Sequence, residues 1–211
     1  MKKKNENRLT EIVFVLDRSG SMSRLVDDTI GGFNSVLTRE QKKEGEAYIT
    51  TMLFDHDFEI LHDHLDIRKV KPITQNEYYP GGCTALYDAV GMTINKMDGI
   101  VRNEEGCQVL MVIITDGLEN SSHEFEGQQI REMVKKRQDQ GWEFLFLGAN
   151  IDSFAVGEGL GFRKDRTSNW KADKAGAAMS YAVLGEVIGN YRQHGEIAED
   201  ALCQLNEDSK R

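Results

Sequence analysis

The sequence predicts an α/β fold: a doubly wound, mostly parallel sheet of six strands in the order 3-2-1-4-5-6, with helices on both faces. Two uninterrupted apolar runs, Ile12–Leu16 and Val109–Ile114, are typical of central parallel strands, because helices cover both faces of such strands. Segments with apolar residues at helical spacing alternate with strand-like runs. Each of the two apolar runs ends in a polar turn that carries a carboxylate.

The first half of the chain is predicted to form a strand, a helix and two further strands. A helix over 22–40 follows the first apolar run, since apolar residues recur there at spacings of four, three and four. Ala47–Phe54 is rich in β-branched and aromatic residues, and a right-handed crossover makes it a parallel neighbour of the first strand. The connection at 55–57 is too short for a crossover, so Phe58–Leu61 is predicted to be an antiparallel third strand at the edge.

The second half alternates helices and strands. A helix starts beside Thr84, and Val109–Ile114 follows it as the fourth strand. The other predicted elements are a helix capped by Ser121 or Ser122, a strand at 144–147, a short helix within 151–162, a short strand at 165–170 and a closing helix at 175–191.

Length, composition and charge limit the class of protein. With 211 residues and 39% hydrophobic content, the chain can bury the core of one domain, which we place at 10–194 between an N-terminal tail, 1–9, and a polar C-terminal tail, 195–211. The formal net charge of -9 and the pI near 5.1 disfavour nucleic acid or an anionic membrane as the main partner, because the long-range field repels both.

The cysteines and the opening segment bear on the compartment. Cys83, Cys107 and Cys203 lack the spacing of metal ligands, and their odd number leaves one unpaired in any disulfide scheme. The apolar run behind the basic opening segment ends at Asp17, which is too early for a signal peptide, and no stretch is long enough to span a bilayer. We therefore expect a cytoplasmic protein.

The turn after the first strand carries Asp17, Ser19 and Ser21 at alternate positions. Carboxylate and hydroxyl oxygens are hard ligands that suit Mg²⁺ or Mn²⁺. The same residue types are common as helix caps where a strand turns into a helix. The turn alone does not decide between a cap and a metal site.

The predicted strand order favours the metal site. Open parallel sheets bind ligands beyond the carboxyl ends of their strands, at the point where the strand order reverses. In this order the reversal lies between the first and fourth strands. Asp17 ends the first strand and Asp116 follows the fourth, so we expect the two carboxylates to emerge side by side.

Three segments carry a resemblance to a known family: Asp17-x-Ser19-x-Ser21, then Gly82-Cys83-Thr84-Ala85-Leu86-Tyr87-Asp88-Ala89, then Thr115-Asp116-Gly117. In this combination the chain resembles a von Willebrand factor type A (VWA) domain with a complete metal-ion-dependent adhesion site (MIDAS), of the bacterial intracellular type. The resemblance covers roughly residues 10 to 190, and the motif is specific only in combination. It implies a Rossmann-like sheet.

The resemblance also implies a role for each site residue. Ser19 and Ser21 would bind Mg²⁺ or Mn²⁺ directly, Thr84 would join them when ligand is bound, and Asp17 and Asp116 would act largely through water. Because neutral hydroxyl ligands leave the metal most of its charge, a glutamate or aspartate of another protein can complete its octahedron. The expected function is a non-enzymatic, metal-dependent protein–protein interaction, and the family implies ATPases or multiprotein assemblies as partners.

Three alternatives compete with this hypothesis. A metal-dependent phosphoryl-transfer hydrolase would use Asp17, but Ser19 stands where such an enzyme wants a second carboxylate, and the site loops carry neither a lysine nor a phosphate-binding GxxxxGK[ST] pattern. If the metal only staples the loops, Asp17→Ala should lower thermal stability. A separate metal site at His56, His62 and His64 is disfavoured, because neighbouring carboxylates indicate a solvated hairpin end.

Overall fold

A computed structural model describes residues 9–101 and 106–209, and within these ranges the chain forms a six-stranded sheet flanked by helices. The strands are β1 (Thr10–Asp17), β2 (Ala47–Phe54), β3 (Phe58–Asp66), β4 (Gln108–Thr115), β5 (Glu143–Ala149) and β6 (Thr167–Trp170). The α-helices are α1 (Val26–Gln41), α2 (Leu86–Val101), α3 (Gly127–Asp139), α4 (Ser153–Gly159), α5 (Lys174–His194) and α6 (Cys203–Asp208). Single 3-10 turns lie at Gly20–Arg24, Ile67–Lys69 and Lys164–Arg166.

The sheet confirms the predicted fold class. Its strand order is β3-β2-β1-β4-β5-β6, with β3 antiparallel at one edge and every other pair parallel. The tight turn at 55–57 closes on itself through a hydrogen bond from Asp55 N to Asp57 O at 3.1 Å, which leaves no room for a crossover. Chain reversal at β3 therefore follows from loop length, as predicted.

The two faces of the sheet carry separate cores. In β1, Ile12, Phe14 and Leu16 belong to the core beneath α1 and α5, whereas Val13 and Val15 belong to the core beneath α2 and α3. All eight residues of β1 are buried. The uninterrupted apolar run of this strand is thus a consequence of helices packing on both faces.

Helices α1 and α5 pack closely because α1 carries a glycine at the crossing. A Cβ atom on Gly32 would lie 2.1 Å from Cδ2 of Tyr181, whose ring fills that space. At the other end of the contact, Arg192 Nη1 lies 3.0 Å from Glu40 Oε2, and both side chains are buried. The glycine permits the close approach, and the buried ion pair fixes the relative position of the two helices.

The loop before α3 differs from its prediction. α3 begins at Gly127, and Glu126 N donates to the side chain of Gln129 at 2.7 Å. Ser122, expected as a cap of this helix, instead accepts a hydrogen bond from Asp88 N at 3.1 Å in the first turn of α2. The position of Ser122 in the sequence suggested a cap of α3, but in the structure its side chain contacts the start of α2.

The segment predicted as a polar tail, 195–211, is packed over its described part. Leu202 and Leu205 are buried in the core on the α5 side, and Arg166 donates to Ile197 O at 2.7 Å. Asn206 of α6 also accepts from the Ser168 hydroxyl of β6 at 2.9 Å. Two buried leucines and one polar contact thus dock α6 against β6, and so short an amphipathic signal is weak in sequence.

Some predictions fall beyond the described part of the chain. The predicted N-terminal tail, 1–9, lies outside the described residues except for Leu9, as do the last two residues of the predicted C-terminal tail. Within 9–101 and 106–209, no helix combines the length and apolar character that a bilayer crossing requires.

Candidate metal centre

The candidate site lies at the carboxyl edge of the sheet between β1 and β4, where the strand order reverses. Asp17 is the last residue of β1, and Asp116 directly follows β4. Leu16 pairs with Ile114 in the parallel register, so both turns leave the sheet at the same level. The structure therefore places the two carboxylates side by side, as the predicted topology requires.

Asp17 is held rigidly from both sides. It has no exposed surface, its Oδ1 accepts from Ser19 N at 2.7 Å, and its Oδ2 accepts from the Thr115 hydroxyl at 2.6 Å. The first bond shapes the turn after β1, and the second ties that turn to the end of β4. The carboxylate thus fixes the relative position of two of the loops that form the site.

The two serines bring their hydroxyls together above Asp17. Ser19 Oγ lies 3.1 Å from Ser21 Oγ, and Ser21 Oγ donates a short hydrogen bond to Asp116 Oδ1. Ser19 and Asp116 are buried, whereas Ser21 is exposed. The arrangement is a cluster of oxygen atoms that is closed below and open to solvent at Ser21.

Thr84 reaches the cluster from a third loop. Gly20 N donates to Gly82 O at 3.1 Å, which joins the Thr84 loop to the serine turn. A Cβ atom on Gly117 would lie 3.4 Å from Thr84 Oγ1 and 3.7 Å from Ser21 Oγ, so both hydroxyls face the same glycine. The structure therefore gathers all five predicted site residues, from three loops, around one centre.

Asn120 and Glu119 hold the loops in this arrangement. Thr84 N donates to Asn120 Oδ1 at 2.8 Å, and Asn120 N donates back to Thr84 O at 3.0 Å. Glu119 accepts from the amides of Tyr87, Ser121 and Ser122 at 2.7–2.9 Å. The loop after Asp116 is thus bonded to the start of α2.

A contributor that the sequence did not reveal is Tyr78. Its ring is completely buried, and its hydroxyl donates to the backbone carbonyl of Asp17 at 2.5 Å. The hydroxyl also contacts Thr29 of α1. An isolated tyrosine in an irregular segment carries no sequence signal for this role, because the contact joins residues 61 positions apart.

The electrostatics of the site favour a cation. Burial raises the pKa of Asp17 from 3.8 to about 6, although hydrogen bonds from Thr115 and Ser19 lower it in part. Burial also raises the pKa of Asp116, and the hydrogen bond from Ser21 opposes that shift. Among the described residues, neither carboxylate forms an ion pair with a lysine, arginine or histidine. A divalent cation would supply the missing positive charge.

The donor atoms also fit a small divalent ion. Metal–oxygen bonds of about 2.0–2.1 Å place neighbouring ligands of an octahedral Mg²⁺ about 3 Å apart. The separation of 3.1 Å between Ser19 Oγ and Ser21 Oγ agrees with this edge length. The hydroxyl pair is therefore compatible with Mg²⁺ or Mn²⁺.

A second group of possible ligands borders the site on the β2–β3 hairpin. One ligand atom each of Asp55, His56 and Asp57 lies within 4.8 Å of the others. The imidazole already lies between the carboxylates, 3.3 Å from Asp55 Oδ1 and 3.4 Å from Asp57 Oδ2, and Arg18 Nε pairs with Asp55 at 3.2 Å. The Arg18 guanidinium compensates Asp55, whereas Asp17 and Asp116 have no such partner among the described residues.

The three histidines weighed as a metal site are separated. His62 Nδ1 lies 3.0 Å from the Thr51 hydroxyl, and His64 Nδ1 lies 2.8 Å from the buried carboxylate of Glu11. His56 instead lies in the hairpin turn. Each histidine thus has a separate local environment.

Fold and site together define a class: an α/β domain with a ligand site of oxygen donors at the switch point of its sheet. No protein-family model and no curated protein matches the chain. Solved structures do. The vWF domain of the type V pili tip protein Mfa5 from Porphyromonas gingivalis has a TM-score of 0.65 at 13% identity, over 92% of this chain and 99% of that chain.

Two further solved structures are similar. The manganese-loaded TRAP protein of Plasmodium vivax has a TM-score of 0.58 at 18% identity, over 83% of this chain and 72% of that chain. Proximal thread matrix protein 1 from the mussel byssus, with a zinc occupied MIDAS motif, has a TM-score of 0.59 at 14% identity, over 88% of this chain and 47% of that chain. The chain thus has the fold of VWA domains, and identities this low establish the fold alone.

Proposed function

We propose that this protein is a non-enzymatic interaction module whose site holds one Mg²⁺ or Mn²⁺ ion and binds an acidic side chain of a partner protein through it. Ser19, Ser21 and Thr84 would supply the hydroxyl ligands, and Asp17 and Asp116 would act from behind them. Bound metal would offer a Lewis-acidic position to a carboxylate oxygen. The protein's own part is to position the hydroxyls and to exclude competing cationic side chains.

The observation that carries the proposal is the convergence of uncompensated oxygen donors. Two buried carboxylates with raised pKa values lie beneath two hydroxyls that are 3.1 Å apart, without a cationic side chain paired to either carboxylate in the described part of the chain. Such a cluster is costly to bury unless a cation completes it. Solved VWA-fold structures with manganese or with zinc at a MIDAS support a divalent metal here.

Two features favour binding over hydrolysis. Asp17 is fully buried and both of its oxygens accept hydrogen bonds, so the carboxylate is not presented to a phosphorus atom as a nucleophile. The solvent-facing donor is the Ser21 hydroxyl. The similar structures include the vWF domain of a pili tip protein and a thread matrix protein of the mussel byssus, which supports an interaction role.

The experiment uses acetate as the simplest carboxylate probe. In ¹H–¹⁵N spectra with Mg²⁺, acetate should shift amides of the loops around Ser21, Thr84 and Asp116, and EDTA should abolish the shifts. Thr84→Ala should keep its melting temperature and lose the acetate response. Ser21→Ala should weaken Mn²⁺ binding by about tenfold or more, whereas the control Ser35→Ala, at an exposed position of α1 outside the site, should not.

Three results would contradict this function. Acetate shifts that persist in EDTA would remove the metal from the binding event. Unfolding of Thr84→Ala would indicate a metal that only staples the loops. Steady Mg²⁺-dependent hydrolysis of p-nitrophenyl phosphate that is lost in Asp17→Ala would establish the hydrolase alternative.

We also propose a cytoplasmic, reducing location. Support comes from Cys83 and Cys203, which are both exposed free thiols. Cell fractionation with thiol labelling before lysis tests this, since an oxidising compartment would modify or pair the exposed cysteines.

A further inference from the structure

A second cavity lies beside the candidate metal centre. It is an open groove of about 920 Å³ at the β6 edge of the sheet, between α4 and α6. Its apolar lining includes the partly exposed Phe154 and the buried Trp170 and Leu202. The segment after α5, predicted to be a tail, builds one wall of this groove, so the groove exists only because α6 docks on β6.

The groove adjoins the pocket above the metal centre. That pocket, of about 440 Å³, is lined by Ser21 and Asp116 on one side and by Asn150 on the other. Asn150 also lines the groove. It follows β5 directly, in a left-handed conformation with φ 56°, and β5 is the neighbour of β4. The pocket and the groove are therefore adjacent at Asn150. A polypeptide whose carboxylate lies at the metal can extend past Asn150 into the groove.

Trp170, which lines the groove, carries a hydrogen-bond donor without a partner. The residue is 5% exposed, and its buried indole N–H has no acceptor among the described residues. Leaving a buried donor unpaired costs stability, so a ligand whose acceptor reaches this N–H gains affinity. The main-chain carbonyl oxygens of an extended polypeptide are such acceptors.

The charged residues that line the groove further limit which polypeptide segments it can bind. Carboxylates of Asp152, Asp165 and Glu199 line the groove together with the ammonium group of Lys164. Asp165 is already paired with Arg163 at 2.6 Å and with Arg166 at 2.8 Å, so the excess negative charge comes from Asp152 and Glu199. This excess disfavours a second acidic residue of the ligand in the groove. It favours neutral or basic residues next to an acid that binds at the metal.

We propose that this groove binds the stretch of the partner polypeptide adjacent to its metal-bound acidic residue, in extended form, with an apolar side chain on Phe154, Trp170 and Leu202. The inference rests on the proposed function, which supplies the anchoring carboxylate. The groove then determines which residues must flank the metal-bound acid of the partner. The partner needs a large apolar residue at a fixed separation from that acid, without a second acidic residue between the two.

The test starts from a display library of random peptides about twelve residues long, selected on the wild-type protein in MgCl₂ and eluted with EDTA. The eluted peptides should share one Asp or Glu and one aromatic or aliphatic residue at constant spacing. A labelled consensus peptide is then titrated by fluorescence anisotropy. Replacing its apolar residue by serine should weaken binding about tenfold or more, as expected for one lost apolar contact.

A matched pair of protein variants locates the contact. Cys203 and Gln204 are both exposed and adjacent on α6, but only Cys203 lines the groove. Cys203→Arg should weaken the consensus peptide about tenfold or more by filling the groove, and Gln204→Arg should leave its affinity within about twofold. The serine peptide should lose little on Cys203→Arg, because the two changes remove the same contact.

The outcomes distinguish a failure of the groove inference from a failure of the proposed function. Peptides that need Mg²⁺ and the Ser21 hydroxyl, but share no apolar position and bind Cys203→Arg as tightly as Gln204→Arg, would overturn the groove while the proposed function stands. If no peptide elutes with EDTA, or if the peptides bind Ser21→Ala equally well, the proposed function fails and the groove inference fails with it.

Discussion

Asp17→Asn is expected to stabilise the metal-free protein at neutral pH, although Asp17 is at the centre of the site. Burial raises the pKa of this carboxyl from 3.8 to about 6. The unfolded chain ionises at the lower value, so the folded state loses stability as pH rises from 3.8 to about 6. At pH values above about 6 the folded state has lost about 3 kcal/mol of stability through this pKa difference. About half of that loss has already occurred at pH 5.

The substitution removes the charge and preserves most of the geometry. The Asn side-chain oxygen can still accept from Ser19 N, while the bond to the Thr115 hydroxyl is disturbed at a cost of about 1 kcal/mol. We therefore expect a net gain of about 2 kcal/mol at pH 8 in EDTA, larger than the gain at pH 5 by about 1.4 kcal/mol. In MgCl₂ the wild type should be more stable than Asp17→Asn, because only the wild type binds the ion tightly.

Urea unfolding followed by tryptophan fluorescence, at pH 5 and pH 8 with EDTA or MgCl₂, measures these differences. Glu158→Gln provides the control, because Glu158 is an exposed carboxylate on α4. A variant that is less stable than wild type at pH 8 in EDTA, or a gain that is equal at both pH values, would refute the electrostatic argument. An equal Mg²⁺ response in both proteins would refute the assignment of Asp17 to the metal centre.

Two further predictions concern the support of the site and the core. Tyr78→Phe removes the donor to the Asp17 carbonyl, so the free energy of unfolding should fall by about 1–3 kcal/mol and Mn²⁺ binding should weaken; an unchanged Mn²⁺ titration would contradict this. Gly32→Ala should lower the melting temperature, because the new methyl group overlaps the Tyr181 ring, at a cost of about 1–3 kcal/mol. Gly31→Ala, where the added methyl group meets open space, should raise stability by up to about 1 kcal/mol, and equal effects of the two substitutions would contradict the packing argument.

The parts of the fold that were predictable follow from strong periodic signals. Continuous apolar runs located β1 and β4, and loop length alone made β3 antiparallel. The start of α1 was less predictable: the helix begins at Val26 rather than at 22, because the chain first makes a 3-10 turn at Gly20–Arg24. Hydroxyls and glycine in that turn are compatible with either conformation, so local propensity does not place the boundary.

In the site, the features set by strand order were predictable, whereas those set by contacts between residues distant in sequence were not. Strand order brings Asp17 beside Asp116, which the sequence alone allowed us to predict. Tyr78 and Asn120 were not recognisable as parts of the framework, because each acts through a hydrogen bond to a backbone group distant in sequence. The groove was not predictable either, since it depends on the docking of α6 through Leu202, Leu205 and the bond from Ser168 to Asn206.

The glycine-sized slot at the crossing of α1 and α5 restricts how the last long helix can slide. Tyr181 fits over Gly32, but a shift of one helical turn, about 5.4 Å, would bring its ring against the side chain of Val36 or Asp28. Intermediate positions gain no new slot and part the buried charges of Arg192 and Glu40. The close fit of Tyr181 over Gly32 and the buried ion pair therefore both favour one longitudinal position of α5 on α1.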